Sequence, residues 1–159
     1  MAKQANTLSL GTDNIGQLLW RYAAPAIIAM ASNSIYHIVD SNIYIGVSHT
    51  ADMAAVVVSD CPCAVDIERK DRDISRVASR FFTECEKSLA TDNMAMVAVW
   101  CARECYYKFM RDREVDILNG VSVTELDFDR GVVVAEGCKG NRLEMKIEQT
   151  AEHVVVYVL

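Results

Sequence analysis

A chain of 159 residues, 52% hydrophobic and 24% charged, is long enough to bury one sizeable core. Its formal charge of −6 argues against general nucleic-acid binding, which needs a basic stripe. The six cysteines, Cys61, Cys63, Cys85, Cys101, Cys105 and Cys138, show neither a paired CxxC nor a Cys/His zinc spacing. They read as small buried hydrophobes in a reducing cytosol, so a cytoplasmic location is expected.

Residues 1–46 carry Lys3 and Arg21 against Asp13 and Asp40, so all six excess negative charges fall on 47–159. From Tyr22 to Val39 there is no Asp, Glu, Lys or Arg, a run of eighteen residues at the lower edge of bilayer-spanning length. It includes Ser32, Asn33, Ser34 and His37. Residues 14–46 resemble the first transmembrane helix of the multidrug and toxic compound extrusion transporters, in the order IGxLLxxYAxPAIxxMxxxxxYxIVDxxxIG. No second apolar stretch of spanning length follows, which excludes transport. The apolar run starts too far in for a signal peptide, and no clear A-x-A-like cleavage site follows it. The expected division is an apolar leader over 1–46, able to contact a membrane through 22–39, and a second domain over 47–159.

The second domain opens on a strand over Val47–Ser59, turned at Asp60-Cys61-Pro62 into another that runs through Ile67. The run AVDIE at 64–68 puts Asp66 and Glu68 on alternate residues, so both share one face of that strand. Arg69–Asp73 is a charged loop. Ile74–Leu89 has the period of an amphipathic helix, with Val77, Phe81 and Phe82 inward and Arg76 and Arg80 outward. Thr91 or Asp92 caps a helix from Asn93 to about Met110, on which Trp100, Glu104 and Lys108 form one stripe. After a turn at Asn119-Gly120, strands are expected near 121–127, 131–136, 142–149 and 153–159, broken by Gly131 and by Gly137 to Gly140. The class is α+β, an antiparallel sheet with packed helices.

Three carboxylates converging beside a lysine suit a hard divalent ion that grips phosphate oxygens. Taken singly, each feature has an ordinary structural reading. Glu104 and Lys108 alone make an i,i+4 pair worth a few tenths of a kcal/mol. Asp66 and Glu68 alone suit the polar face of a half-exposed strand.

Read in order, Val47-Ser48-His49-Thr50, AVDIE at 64–68, Arg80-Phe81-Phe82 with Glu86, and WCARECYYK at 100–108 resemble the 4'-phosphopantetheinyl transferases, surfactin-synthetase type. That family shows (I/V)SH(S/T), G(I/V)D(I/V)E, RFF followed by glutamate, and W(S/C/T)xKExxxK. The resemblance covers about 47–159 and departs at Ala64, where the family has glycine, and at Arg103, where it has lysine. It implies a half of a pseudo-dimeric transferase fold plus part of the other. It also implies that Asp66, Glu68 and Glu104 hold magnesium on the pyrophosphate of coenzyme A. Ser48 and His49 would lie near the 3'-phosphate of the adenosine. Lys108 would neutralise charge on the bridging and leaving oxygens, and Arg103 would keep a positive charge at the phosphates. Glu104 would take the proton of the attacking serine, directly or through a metal-bound water.

The partner so implied is an apo acyl or peptidyl carrier protein. Arg69, Lys70, Arg72, Arg76 and Arg80 form a basic run for docking it, or simply a solvated loop and helix face. The family's first half, with its basic residues for the nucleotide, has no counterpart upstream of Val47. A second copy of the chain in a homo-oligomer would be one replacement. A catalytically inactive remnant and a membrane-tethered binding module are the alternatives.

Overall fold

The structure, a computed structural model, describes residues 43–110 and 116–159. The chain divides between Ser41 and Asn42. The membrane contact through 22–39, and the transporter resemblance except for its last four positions, 43–46, therefore fall outside the described residues. Among those that are described, no helix is long and apolar enough to cross a membrane.

Two strands, β1 (Tyr44–His49) and β2 (Ala54–Ser59), form an antiparallel hairpin. The single strand expected over 47–59 is therefore two. A side-chain turn breaks it: Thr50 Oγ1 accepts from the Met53 amide at 3.1 Å and donates to Asp52 at 2.9 Å. The second sheet has five strands in the order β3-β7-β6-β5-β4, with every neighbouring pair antiparallel. They are β3 (Ala64–Arg69), β4 (Val121–Asp127), β5 (Val132–Gly137), β6 (Arg142–Gln149) and β7 (His153–Val158). Gly131, at φ +64°, supplies the left-handed residue between β4 and β5 that a side chain would strain.

The expected helix over 74–89 is also two: α1 (Ser75–Phe81) and α2 (Glu84–Leu89). Phe82 turns extended, and Thr83 opens α2 with a capping box. The Thr83 hydroxyl accepts from the Glu86 amide, and the Glu86 carboxylate accepts from the Thr83 amide. Helix α3 (Asn93–Met110) begins where expected, with Asp92 Oδ1 accepting from the Ala95 amide at 2.7 Å.

Seven consecutive residues of α3, Val97 to Arg103, are buried, so the helix is enclosed on more than one side. Val97, Val99, Cys101, Cys105 and Tyr106 share one core with Val123, Val133, Ala135, Met145, Val154 and Val156 from the sheet. Val154 and Val156 pair with Glu68 and Asp66 across the β3–β7 ladder. Paired residues share a face, so both carboxylates lie on the side of β3 that α3 covers. The antiparallel α+β class holds.

Candidate active site

Strand β3 is an edge of the large sheet, and the hairpin passes close beside it. A Cβ built on Gly46 would stand 3.0 Å from the Ala64 Cα and 3.1 Å from the Val65 nitrogen. Only glycine permits that approach without a shift. Two residues on, Ser48 is buried, and its hydroxyl reaches β3 twice. It donates to Asp66 Oδ1 at 2.8 Å and accepts from the Ile67 amide at 3.3 Å. His49, next in the strand, points to the opposite face and is exposed.

Asp66 is only 4% exposed. Besides Ser48, its Oδ1 accepts a hydrogen bond from Lys108 Nζ at 2.6 Å, and the same ammonium donates to the Val65 carbonyl at 3.2 Å. Lys108 thus pairs across elements with Asp66 rather than along its helix with Glu104. The other Asp66 oxygen, Oδ2, is buried without a hydrogen-bond partner. Leaving a carboxylate oxygen bare costs free energy unless something outside the chain partners it. The indole Nε1 of Trp100, on the same helix stripe, is also buried and unpartnered.

Glu68 pairs with Arg72 four residues on. Burial raises its carboxyl above the ordinary range against the pull of Arg72, and the neighbouring Asp66 adds to the rise. Glu104 is raised for the same reasons, burial first and then Asp66, with Lys108 opposing. Both acids therefore feel the Asp66 charge, so the three sequence-predicted carboxylates are electrostatic neighbours. Cys105, buried beside Asp66, is pushed up to about 12, mainly by burial. It is an inert protonated thiol.

Among the described residues no three His, Cys, Asp or Glu side chains are gathered closely enough to hold a metal unaided. The donor chemistry nevertheless fits a hard ion: carboxylate oxygens only, one of them bare. Magnesium is commonly held by one or two carboxylates together with substrate phosphates and water.

Arg103 requires a correction. It is fully buried, and its guanidinium points away from these acids into a closed ion pair. It donates to both oxygens of the equally buried Glu86, at 2.7 and 2.6 Å, and to the carbonyls of Ile117, Leu118 and Phe81. All its donors point into the protein, so it cannot fork onto a phosphate. The Glu86 Oε1 also accepts from the Val123 amide at 2.8 Å. Burial works to raise the Glu86 carboxyl, but these hydrogen bonds hold it below the usual range. The Ser48 hydroxyl, expected near a nucleotide phosphate, is engaged within the protein by Asp66 and the Ile67 amide.

Other expectations divide. Cys63, Cys101 and Cys105 are buried, whereas Cys61, Cys85 and Cys138 are exposed. Of the basic run, Arg69 is tied to Asp52, Asp71 and Glu152, Lys70 donates to the Thr150 carbonyl, and Arg72 holds Glu68. Arg76 and Arg80 are exposed, and Arg80 lies over the Phe81 ring. His153, unmarked in the sequence, is buried, with its Nε2 3.1 Å from Asp52 Oδ1 and 3.4 Å from Thr50 Oγ1. That contact pins the hairpin turn to β7. No local signal marks it, since the partners lie a hundred residues apart.

The sequence model of the 4'-phosphopantetheinyl transferase superfamily matches residues 62–155, more than half of the chain. The match contains β3 and α3, the two elements that carry Asp66, Glu68, Glu104 and Lys108. The chain belongs to this superfamily. A search of the curated proteins finds no match.

Proposed function

We propose that this chain moves the 4'-phosphopantetheine group of coenzyme A onto a serine of an apo acyl or peptidyl carrier protein, in the manner of the surfactin-synthetase type. The observation that carries the reading is the bare, buried Oδ2 of Asp66 beside Glu68, Glu104 and Lys108, inside the region that matches the superfamily. Asp66, Glu68 and Glu104 would hold magnesium, which when bound would neutralise the pyrophosphate oxygens. The serine Oγ attacks the β-phosphorus, and the bond from that phosphorus to the bridging oxygen breaks. Adenosine 3',5'-bisphosphate leaves with the electron pair.

Phosphoryl-type transfer depends on alignment and charge neutralisation more than on covalent help. Glu104 takes the serine proton. Lys108, 32% exposed at its side chain, supplies a cation at the same place. The exposed His49 is free to meet the adenosine 3'-phosphate. Arg76 and Arg80 remain for a carrier protein's acidic surface.

A second reading is a folded but inactive binding module, and the absence of a preformed three-carboxylate cluster among the described residues favours it. Incubation of the full chain with coenzyme A, magnesium and several apo carrier proteins decides between them. Transfer adds the mass of one phosphopantetheine to a carrier. Carriers left unmodified, while a known transferase loads them, would establish the inactive module.

A further inference from the structure

We infer that Ser48 is a positioning residue for the metal-binding carboxylate and makes no contact with the nucleotide. The inference rests on the reading above, in which Asp66 is a metal ligand. The residue is buried, 8% exposed, and its only hydroxyl proton is committed within the protein. Its proton goes to Asp66 Oδ1 at 2.8 Å, and its oxygen accepts the Ile67 amide at 3.3 Å. A serine hydroxyl has one proton to give, so none remains for a phosphate.

The effect on Asp66 is directional. Ser48 and Lys108 both hold Oδ1, from β1 and from α3 respectively, and this fixes the carboxylate plane. Oδ2 is left as the one bare oxygen, the natural ligand atom. Removing the hydroxyl frees Asp66 to rotate, and Oδ2 loses its preset direction. Partners of metal-ligating carboxylates commonly carry 10–100-fold in metal affinity.

The hairpin is held where Ser48 needs it by two features. Gly46 admits the close pass against β3, and His153 with Arg69 grips Asp52 at the hairpin turn. Ser48 thereby links the hairpin, which lies outside the superfamily match, to the carboxylate inside it.

The test is manganese titration followed by electron paramagnetic resonance, which counts free ion without needing turnover. It is run on the full chain with coenzyme A and again with 3'-dephospho-coenzyme A. Ser48→Ala should weaken manganese binding about 10-fold or more, by the same factor with either nucleotide. Ser48→Thr, which keeps the hydroxyl, should restore most of it, and far-UV spectra establish that both variants are folded. A loss seen with coenzyme A but not with the dephospho form would overturn the inference, because Ser48 would then touch the 3'-phosphate. Unchanged manganese binding in Ser48→Ala would overturn it too. Should the unmodified chain bind no manganese with either nucleotide, the functional reading itself fails, and this inference with it. That outcome differs from a normal titration in which Ser48→Ala has no effect.

Discussion

Arg103 and Glu104 are neighbours on one helix, yet they stand in opposite electrostatic surroundings. Arg103 meets a single fully buried acid in a two-oxygen grip, and backbone carbonyls take its remaining donors. Glu104 faces two further carboxylates across the β3 side of the helix, and its pKa rises. One side of α3 is electrostatically closed. The other keeps excess negative charge and a bare oxygen, an arrangement that costs stability in the free protein and suits a cationic ligand. Adjacent letters of one motif thus serve different ends: Arg103 fastens the helix, and in the proposed function Glu104 works from it.

The largest effects should come from the open side. Glu104→Gln and Lys108→Met should each lower turnover by roughly two to four orders of magnitude, the range for losing a general base or a charge-stabilising group. Steady-state transfer assays with magnesium in excess measure this, and near-normal rates would remove both residues from the mechanism. On the closed side, Arg103→Met leaves the Glu86 charge buried and unpaired and should cost about 3–5 kcal/mol of stability. Urea unfolding reads that number. A loss below about 1 kcal/mol would mean that Glu86 finds another partner or takes up a proton.

Proton linkage should separate the two sides next. Glu68 and Glu104 have folded pKa values above 4.5, so the folded state holds their protons more tightly than the unfolded chain does. Their contribution to stability is therefore lost as pH rises from 4.5 through the raised values. Glu86 runs the other way. Its folded value lies below 4.5, so its contribution is present above 4.5 and disappears as pH falls through the lowered value. Metal-free unfolding of Glu104→Gln should lose part of the decline toward neutral pH and keep the acid-side loss. An unaltered pH profile would show that Glu104 does not feel the cluster. The smallest effect belongs to the exposed pair of Lys87 with Glu84: Lys87→Ala should move stability by less than about 0.5 kcal/mol.

Much of this contrast can be read in the sequence, though not all of it. Period-2 spacing in AVDIE put Asp66 and Glu68 on one face of β3, and the i, i+4, i+8 spacing put Glu104 and Lys108 on one helix, because each depends only on local geometry. The strands at 121–127 and 142–149 and the helix at 93–110 match to the residue, since turns or caps bound them clearly. The break at Phe82-Thr83 was also written locally, as the capping box Thr83-x-x-Glu86, but the helical period continuing across it concealed the signal. The Arg103–Glu86 pair and the Ser48–Asp66 bond could not be seen in the same way. Both join residues well apart in sequence, and the family pattern suggested phosphate contacts for Ser48 and Arg103. For Arg103, burial with every donor committed overrules that suggestion.

In the proposed function, the open side of α3 gives up stability in the free protein in order to hold a metal-bound substrate. The most direct measurement is the melting temperature of Glu104→Gln beside the unmodified chain, each with and without magnesium plus coenzyme A. The two proteins should cross. Removing the third carboxylate raises the metal-free melting temperature, because it relieves repulsion with Asp66 and Glu68, and it abolishes the upward shift that magnesium and coenzyme A give the unmodified chain. A variant that melts lower without metal, yet shifts upward as far as the unmodified chain with it, would contradict the claim on both counts.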